Sequence, residues 1–192
     1  VNVGTEAEFT GIRTTLQSAL ALPCTVTISS TRPRDGKTAV AVGVARNFVR
    51  AGFSVVLVDA NPDSPSVGRA LEIAELPPAA SLAPDAVAKA TVRSSDGVYA
   101  ASIASYQLVD DATDEEIAAL VAALRAHYDV TIVDGTEVFS SPFVPRCAAA
   151  CDGVVLAVRY ARFPDPEDAR VVGTLQQAGA TIIGSVPTSF RA

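Results

Sequence analysis

An α/β fold, a doubly wound and mostly parallel sheet with helices on both faces, is what this sequence predicts, and three observations predict it. Short β-rich runs are continuously apolar, as strands buried on both faces should be. They alternate with helical stretches along the chain, the pattern of strands joined by crossover helices. Two helical stretches end in Ala-Gly, at Ala51-Gly52 and Ala178-Gly179, where glycine supplies the left-handed cap before the next strand.

In order, helices are expected at residues 7–20, 37–51, 114–127 and 165–178. Strands are expected at 25–29, 54–59, 98–105, 130–134, 153–159 and 181–186. Thr113 followed by Glu116 is a capping box, so the acidic cluster Asp110, Asp111, Asp114, Glu115 and Glu116 reads as a negatively charged helix start rather than a metal site. Residues 76–95, rich in Pro, Ala and Ser, are the least regular part and read as a mobile connection. There is no internal repeat and no boundary between independent domains, so residues 1–192 are expected to form one domain.

Composition narrows the function. The chain has 192 residues, 49% of them hydrophobic, enough for a sizeable core. Its 15 Lys and Arg against 21 Asp and Glu give a net charge of −6, which opposes unaided binding to nucleic acid or anionic lipid. No stretch approaches the roughly 20 apolar residues of a membrane helix, and the first residues lack a signal peptide's pattern, so a cytoplasmic location without membrane insertion is expected. The absence of Met points to a processed chain or a piece of a longer one. Three cysteines are too few for a disulfide framework. Cys147 and Cys151 would share one helix face, and small buried core residues are the expectation over a metal or redox pair. His127 reads as a helix-end residue. Tyr99, Tyr106, Tyr128 and Tyr160 read as core or surface structure, with Tyr128 packed.

The strongest local signal is TVTISSTRPRDGKTAVAVGVARNF, an apolar strand running through a polar loop into a helix. That order matches a Walker A loop and makes the fold P-loop NTPase-like. Backbone N–H groups of Thr31, Arg32, Pro33, Arg34, Asp35, Gly36, Lys37, Thr38 and Ala39, proline excepted, would line a polyphosphate. Lys37, one of only two lysines, would reach the β and γ phosphates, and Thr38 would ligate magnesium. Thr31 stands where the general pattern has glycine, so the turn must accept a branched side chain. SVVLVDANPDSP puts Asp59, and HYDVTIVDG puts Asp134, at the carboxyl ends of strands, where the crevice of an open α/β sheet lies.

With these parts in this order, the sequence resembles the bacterial tyrosine kinases of polysaccharide export, relatives of the partitioning ATPases with a deviant Walker A loop. SSTRPRDGKT resembles their Walker A, VVLVDANPDSP their Walker A′ and YDVTIVDG their Walker B. CDGVVLAVR, a helix and then IIGSV resemble the closing strand-helix-strand, and EFTGIRTTL, with Phe9, Arg13 and Leu16, the N-terminal helix that packs subunits into a ring. The resemblance implies ATP and Mg2+ as cofactors, Lys37 on phosphate, Thr38, Asp59 and Asp134 about the metal, and Asp59 helping to activate the acceptor tyrosine. It also implies a homo-oligomer using residues 1–22 and a membrane-bound polysaccharide co-polymerase or activator as partner, at the inner face of the membrane.

The departures are specific. Asn61 replaces the second Walker A′ aspartate, and Asp63 and Ser64 replace the basic stretch after it. Asp134 is followed by Gly135-Thr136-Glu137 instead of a hydroxyl residue and two prolines. The adenine-reading asparagine is missing from SVPTSF, and the last tyrosine is Tyr160, with no tyrosine cluster at the end. Arg32 occupies the position from which partitioning ATPases reach a partner's nucleotide with lysine. Arg32 or Arg34 is therefore a candidate for phosphate across a subunit interface. Three functions stay open: a tyrosine kinase, a degenerate non-catalytic nucleotide-binding scaffold, and a partitioning-type ATPase.

Overall fold

The computed structural model describes residues 4–160 and 166–189. In chain order the elements are α1 (Glu6–Ala19), β1 (Cys24–Ser30), α2 (Lys37–Arg50), β2 (Val55–Asp59), α3 (Val67–Ala70), α4 (Pro84–Lys89), β3 (Val92–Arg93), β4 (Tyr99–Ser102), α5 (Tyr106–Asp110), α6 (Asp114–His127), β5 (Val130–Glu137), α7 (Phe143–Ala150), β6 (Gly153–Arg159), α8 (Pro166–Gln177) and β7 (Ile182–Thr188). The strands stand in the order β3-β4-β2-β5-β1-β6-β7, all parallel except β3 against β4. The sheet grows away from β1 in both directions, so the crevice of a doubly wound sheet falls at the carboxyl end of β1.

Side chains along each strand alternate between two covered faces. Val55 and Leu57 join Val26, Ile28 and Ile132 beneath the buried face of α2, which brings Val40, Val44 and Phe48. Val56, Val58 and Val133 point the other way, onto Ile117, Leu120 and Leu124 of α6 and Phe143 of α7. A third cluster packs Val154 and Leu156 of β6 against Val171 and Leu175 of α8. Each such valine or leucine contributes roughly 1.5–3 kcal/mol by leaving water.

The helix starts and stops follow the local rules. Thr113 and Glu116 form the expected capping box, and Thr5 with Glu8 forms another at α1. Gly52 and Gly179 have φ of 92° and 87°, the left-handed stops their positions predict. Cys24, Cys147 and Cys151 are buried free thiols. The Thr27 hydroxyl lies 3.4 Å from Cys151 Sγ. His127 ends α6 with its ring 2.8 Å from the Ala123 carbonyl, and the Tyr128 ring packs 5.3 Å from that of Tyr99.

Two expectations need correction. The stretch 76–95 is built into the fold: it contains α4 and β3, pairs Pro78 with Ser102, and buries Ala79, Leu82 and Val87 in the core. Its apolar residues are too sparse for a periodic signal, yet Pro84 suits the first turn of a helix. The strand expected at 98–105 is shorter, because the chain turns at Ser105 into α5. Residue 165, the expected start of the last helix, lies outside the described residues.

The N-terminal helix packs on its own chain. The Phe9 ring fills the space over Gly43, where a Cβ would stand 2.1 Å from it. Arg13 Nε donates to Asn47 Oδ1 at 2.8 Å, and Leu16 is buried. The motif residues Phe9, Arg13 and Leu16 thus pack on the α2 side of their own chain.

Candidate functional site

Between β1 and α2 the chain makes a tight loop with two left-handed positions, Arg34 at φ 63° and Gly36 at φ 90°. Gly36 is the N-cap of α2, and no side chain caps that helix, so its first N–H groups face the cleft in the manner of an anion site. Arg34 has a Cβ in a region that favours glycine, so the surroundings hold it there. Ser30 Oγ donates to the Arg32 carbonyl at 2.8 Å, and Arg159 Nη2 to the Arg34 carbonyl at 2.6 Å. Thr188 Oγ1 donates to the Asp35 carbonyl at 2.7 Å. The branched Thr31, where glycine is usual, is accommodated by its hydroxyl bonding Asp168 of α8 at 2.5 Å.

The loop opens on a cleft of about 1000 Å³. Pro33, Arg34, Gly36, Lys37, Thr38 and Ala39 line it, together with Asn61 and Ser66 from the loop after β2, Arg69 of α3, Glu137 and Arg159 at the ends of β5 and β6, and Ser140 beyond β5. Thr31, Arg32 and Asp35 are turned elsewhere. Arg32 forms an ion pair with Glu167 at 3.0 Å, and buried Asp35 receives the Arg32 N–H at 3.2 Å. A second groove of about 340 Å³, between α1 and β7, carries Glu8 as its one titratable group among the described residues.

Beneath the cleft, Asp59, the last residue of β2, is the register partner of Asp134, three residues before the end of β5. Thr38 Oγ1 donates to Asp134 Oδ2 at 2.6 Å and stands 3.0 Å from Ser66 Oγ. Asp134 is wholly buried and its Oδ1 has no hydrogen-bond partner. Burial pushes its pKa up to about 7; Thr38 opposes the rise, and neighbouring Asp59 adds to it. Asp59 accepts the N–H groups of Asn61, Ser66 and Val67 at 3.2, 2.9 and 3.0 Å. Burial still raises its pKa. Asn61, the departure from the second aspartate, caps its own loop by accepting the Ser64 N–H at 3.3 Å.

Lys37 is engaged by a residue the sequence does not single out. Its ammonium pairs with the Glu137 carboxylate, both side chains largely buried at 6% and 12% exposure, and lies 3.3 Å from Ser30 Oγ. Burial would raise the Glu137 pKa, but the Lys37 pairing, together with hydrogen bonds from its own backbone and from Ser140, outweighs it and the net shift is downward. The only trace in the sequence is a carboxylate three positions after Asp134. On a regular strand that spacing would put the two on opposite faces.

A mostly parallel, doubly wound sheet with a strand–loop–helix ending Gly-Lys-Thr at its carboxyl edge defines the P-loop NTPase-like class. No protein-family model matches the chain, and no curated protein sequence matches it significantly. Solved structures do. The kinase domain of the Escherichia coli tyrosine kinase ETK superposes with a TM-score of 0.79 at 17% identity, covering 97% of this chain and 77% of that one. The VpsO kinase domain gives 0.75 at 19% identity, covering 97% and 96%. A Mycobacterium smegmatis cobyrinic acid a,c-diamide synthase with bound ADP and magnesium gives 0.71 at 17% identity, covering 85% and 74%. At these identities the likeness is one of fold: the chain has the architecture shared by bacterial tyrosine-kinase domains and P-loop ATPases.

Proposed function

We propose that this chain binds a magnesium-nucleotide at its loop and, like the bacterial tyrosine kinases it resembles, transfers the γ-phosphoryl group of ATP to a tyrosine hydroxyl. The observation that carries the reading is the Thr38–Asp134 pair: a helix-start hydroxyl 2.6 Å from a wholly buried carboxylate whose other oxygen has no partner. Such an orphaned oxygen is costly unless a ligand uses it. Hard oxygen donors suit magnesium, which keeps water and phosphate in its shell and needs only one or two protein groups. Three acidic, His or Cys side chains arranged as a metal-holding group are therefore not required, and no group so arranged occurs among the described residues.

In this mechanism the N–H groups at the start of α2 and the Lys37 ammonium receive the β and γ phosphates, while Arg34 and Arg159 stand on the cleft wall. Thr38, Asp134 and Asp59 are the residues that would hold magnesium, which when bound neutralises charge on the phosphates. The tyrosine oxygen forms its bond to the γ phosphorus as the bond to the β–γ bridging oxygen breaks, and ADP leaves with that electron pair. The hydroxyl proton passes to the Asp59 carboxylate, the register partner of Asp134. On the same reading residues 1–192 work as one unit, at the cytoplasmic face beside a membrane-bound polysaccharide co-polymerase or activator, and copies assemble into an oligomer.

A second reading, a nucleotide-binding scaffold without catalysis, is favoured by Asn61 and by the Glu137 carboxylate on Lys37. Calorimetry with ADP and ATP plus magnesium tests the shared premise. Micromolar binding that falls at least about a hundredfold in Lys37→Ala supports a working loop. No heat at millimolar nucleotide overturns it. Phosphotyrosine formed from Mg·ATP then separates kinase from scaffold.

A further inference from the structure

We propose that Glu137 is a resident occupant of the phosphate seat on Lys37, so that this one side chain decides which phosphates enter: magnesium-bound polyphosphate displaces it and metal-free polyphosphate does not. The proposal rests on the nucleotide-binding reading and deepens it, by naming what selects the ligand.

The seat is built, beginning with the backbone. Along the β1–β5 ladder Ile28 pairs with Asp134 but Ser30 pairs with Glu137, so β5 spends one more residue than β1 over that stretch. This bulge returns Glu137 to the face that carries Asp134, against the alternation a regular strand would impose. Ser29, opposite the extra residue, donates its hydroxyl to the Thr136 carbonyl at 2.7 Å and fastens the bulge. The ladder resumes with Val138 N–H on the Ser30 carbonyl at 3.1 Å. Gly135 keeps the turn close: a Cβ there would stand 3.1 Å from Val144 Cγ2.

The chemistry of the seat is that of a phosphate oxygen. A carboxylate oxygen on the Lys37 ammonium, inside a water-poor pocket, satisfies the charge that a β or γ phosphate would otherwise satisfy. The carboxylate can also leave. Glu137 lines the cleft, and its other oxygen accepts from exposed Ser140 at 3.0 Å, on the solvent side of the pair. What enters must bring its own cation. Around Asp134 the carboxylates of Asp59 and Glu137 outnumber the one ammonium of Lys37, whereas Arg34, Arg69 and Arg159 line the cleft wall, so at the carboxylate end of the seat a magnesium-bound polyphosphate is favoured over a bare one.

The test is titration of ADP, with and without magnesium, into the wild type and Glu137→Gln. The neutral amide should tighten Mg·ADP by roughly tenfold, the order of one charge-assisted hydrogen bond, and metal-free ADP by more. Equal affinity in both proteins overturns the proposal while leaving nucleotide binding standing, and an equal gain with and without magnesium overturns the selectivity. If neither protein nor Lys37→Ala binds ADP at all, the nucleotide-binding reading falls and takes this proposal with it. Because Glu137→Gln leaves Lys37 buried without its counter-charge, unfolding is monitored by circular dichroism. Ser140→Ala loosens Glu137 without uncovering the lysine and carries the test if the first variant does not fold. It should give a gain of about threefold, and no gain overturns the proposal.

Discussion

At the amino end of the sheet, Asp152 and Asp129 each precede a strand and each clasp the neighbouring strand in the same way. Asp152 accepts the Thr25 N–H at 2.7 Å and its hydroxyl at 3.0 Å; Asp129 accepts the Ser54 N–H at 2.8 Å and its hydroxyl at 2.7 Å. Arg125 adds a third partner to Asp152 at 2.6 Å. Both carboxyls sit below their ordinary pKa. Hydrogen bonds from Ser54 do this for Asp129, and for Asp152 the Thr25 and Arg125 contacts outweigh partial burial. At the carboxyl end of the same strands, Asp134 has one donor, an oxygen without a partner, and a pKa raised to about 7. Aspartates at one end hold strands together; the one at the other end is kept in a state that a ligand would relieve.

The sharpest way to break this contrast is Asp134→Asn. The folded protein holds a proton on Asp134 between the ordinary carboxylate range and about pH 7, where the unfolded chain has released it. The stability of the ligand-free fold therefore declines as pH rises from about 4 to about 7, and the contribution is gone above that. The asparagine variant should flatten that slope and melt about 5–10 °C higher at pH 8 without nucleotide, with Asp59 supplying the residual slope. Thermal melts across pH check this, and an unchanged or lower melting temperature at pH 8 would contradict it.

Asp152→Ala should do the reverse, losing about 1–3 kcal/mol with nucleotide affinity unchanged, since its partners are strand and helix groups remote from the cleft. The Asp152 contribution has the opposite pH sense. It is present above the ordinary carboxylate pKa and is lost as pH falls through the lowered one, so wild type and variant should converge in acid. Denaturant unfolding alongside ADP titration reads both. The smallest effect is expected for Ser54→Ala, less than about 1 kcal/mol, because the Asp129 clasp is exposed and water replaces it. A larger loss there would mean that the exposed clasp carries more of the sheet than the half-buried one.

The same contrast separates what was readable in the chain from what was not. Walker A was legible because strand, loop, glycine and lysine are contiguous, and Asp59 and Asp134 because each closes an apolar run. The caps at Thr113, Gly52 and Gly179 involve only near neighbours in sequence, so local chemistry announces them. The stretch 76–95 was misread because Ala79, Leu82 and Val87 are buried by the sheet they meet, not by a period of their own.

Arg32 shows the limit within the motif itself. Its position suggests a reach toward a phosphate across a subunit interface, and within its own chain it pairs with Glu167, more than a hundred residues away, beside the Thr31–Asp168 bond, a partner no local pattern announces. The sequence by itself determined the sheet, its covering helices and the phosphate loop, because hydrophobic period, capping and backbone freedom act over a few residues. Only the tertiary structure decided that Glu137 stands on Lys37 and that Asp134 keeps an oxygen without a partner. Those outcomes depend on a one-residue bulge between β1 and β5 and on how deeply the strand ends are buried, and a bulge is a difference between two strands that neither strand's sequence contains alone.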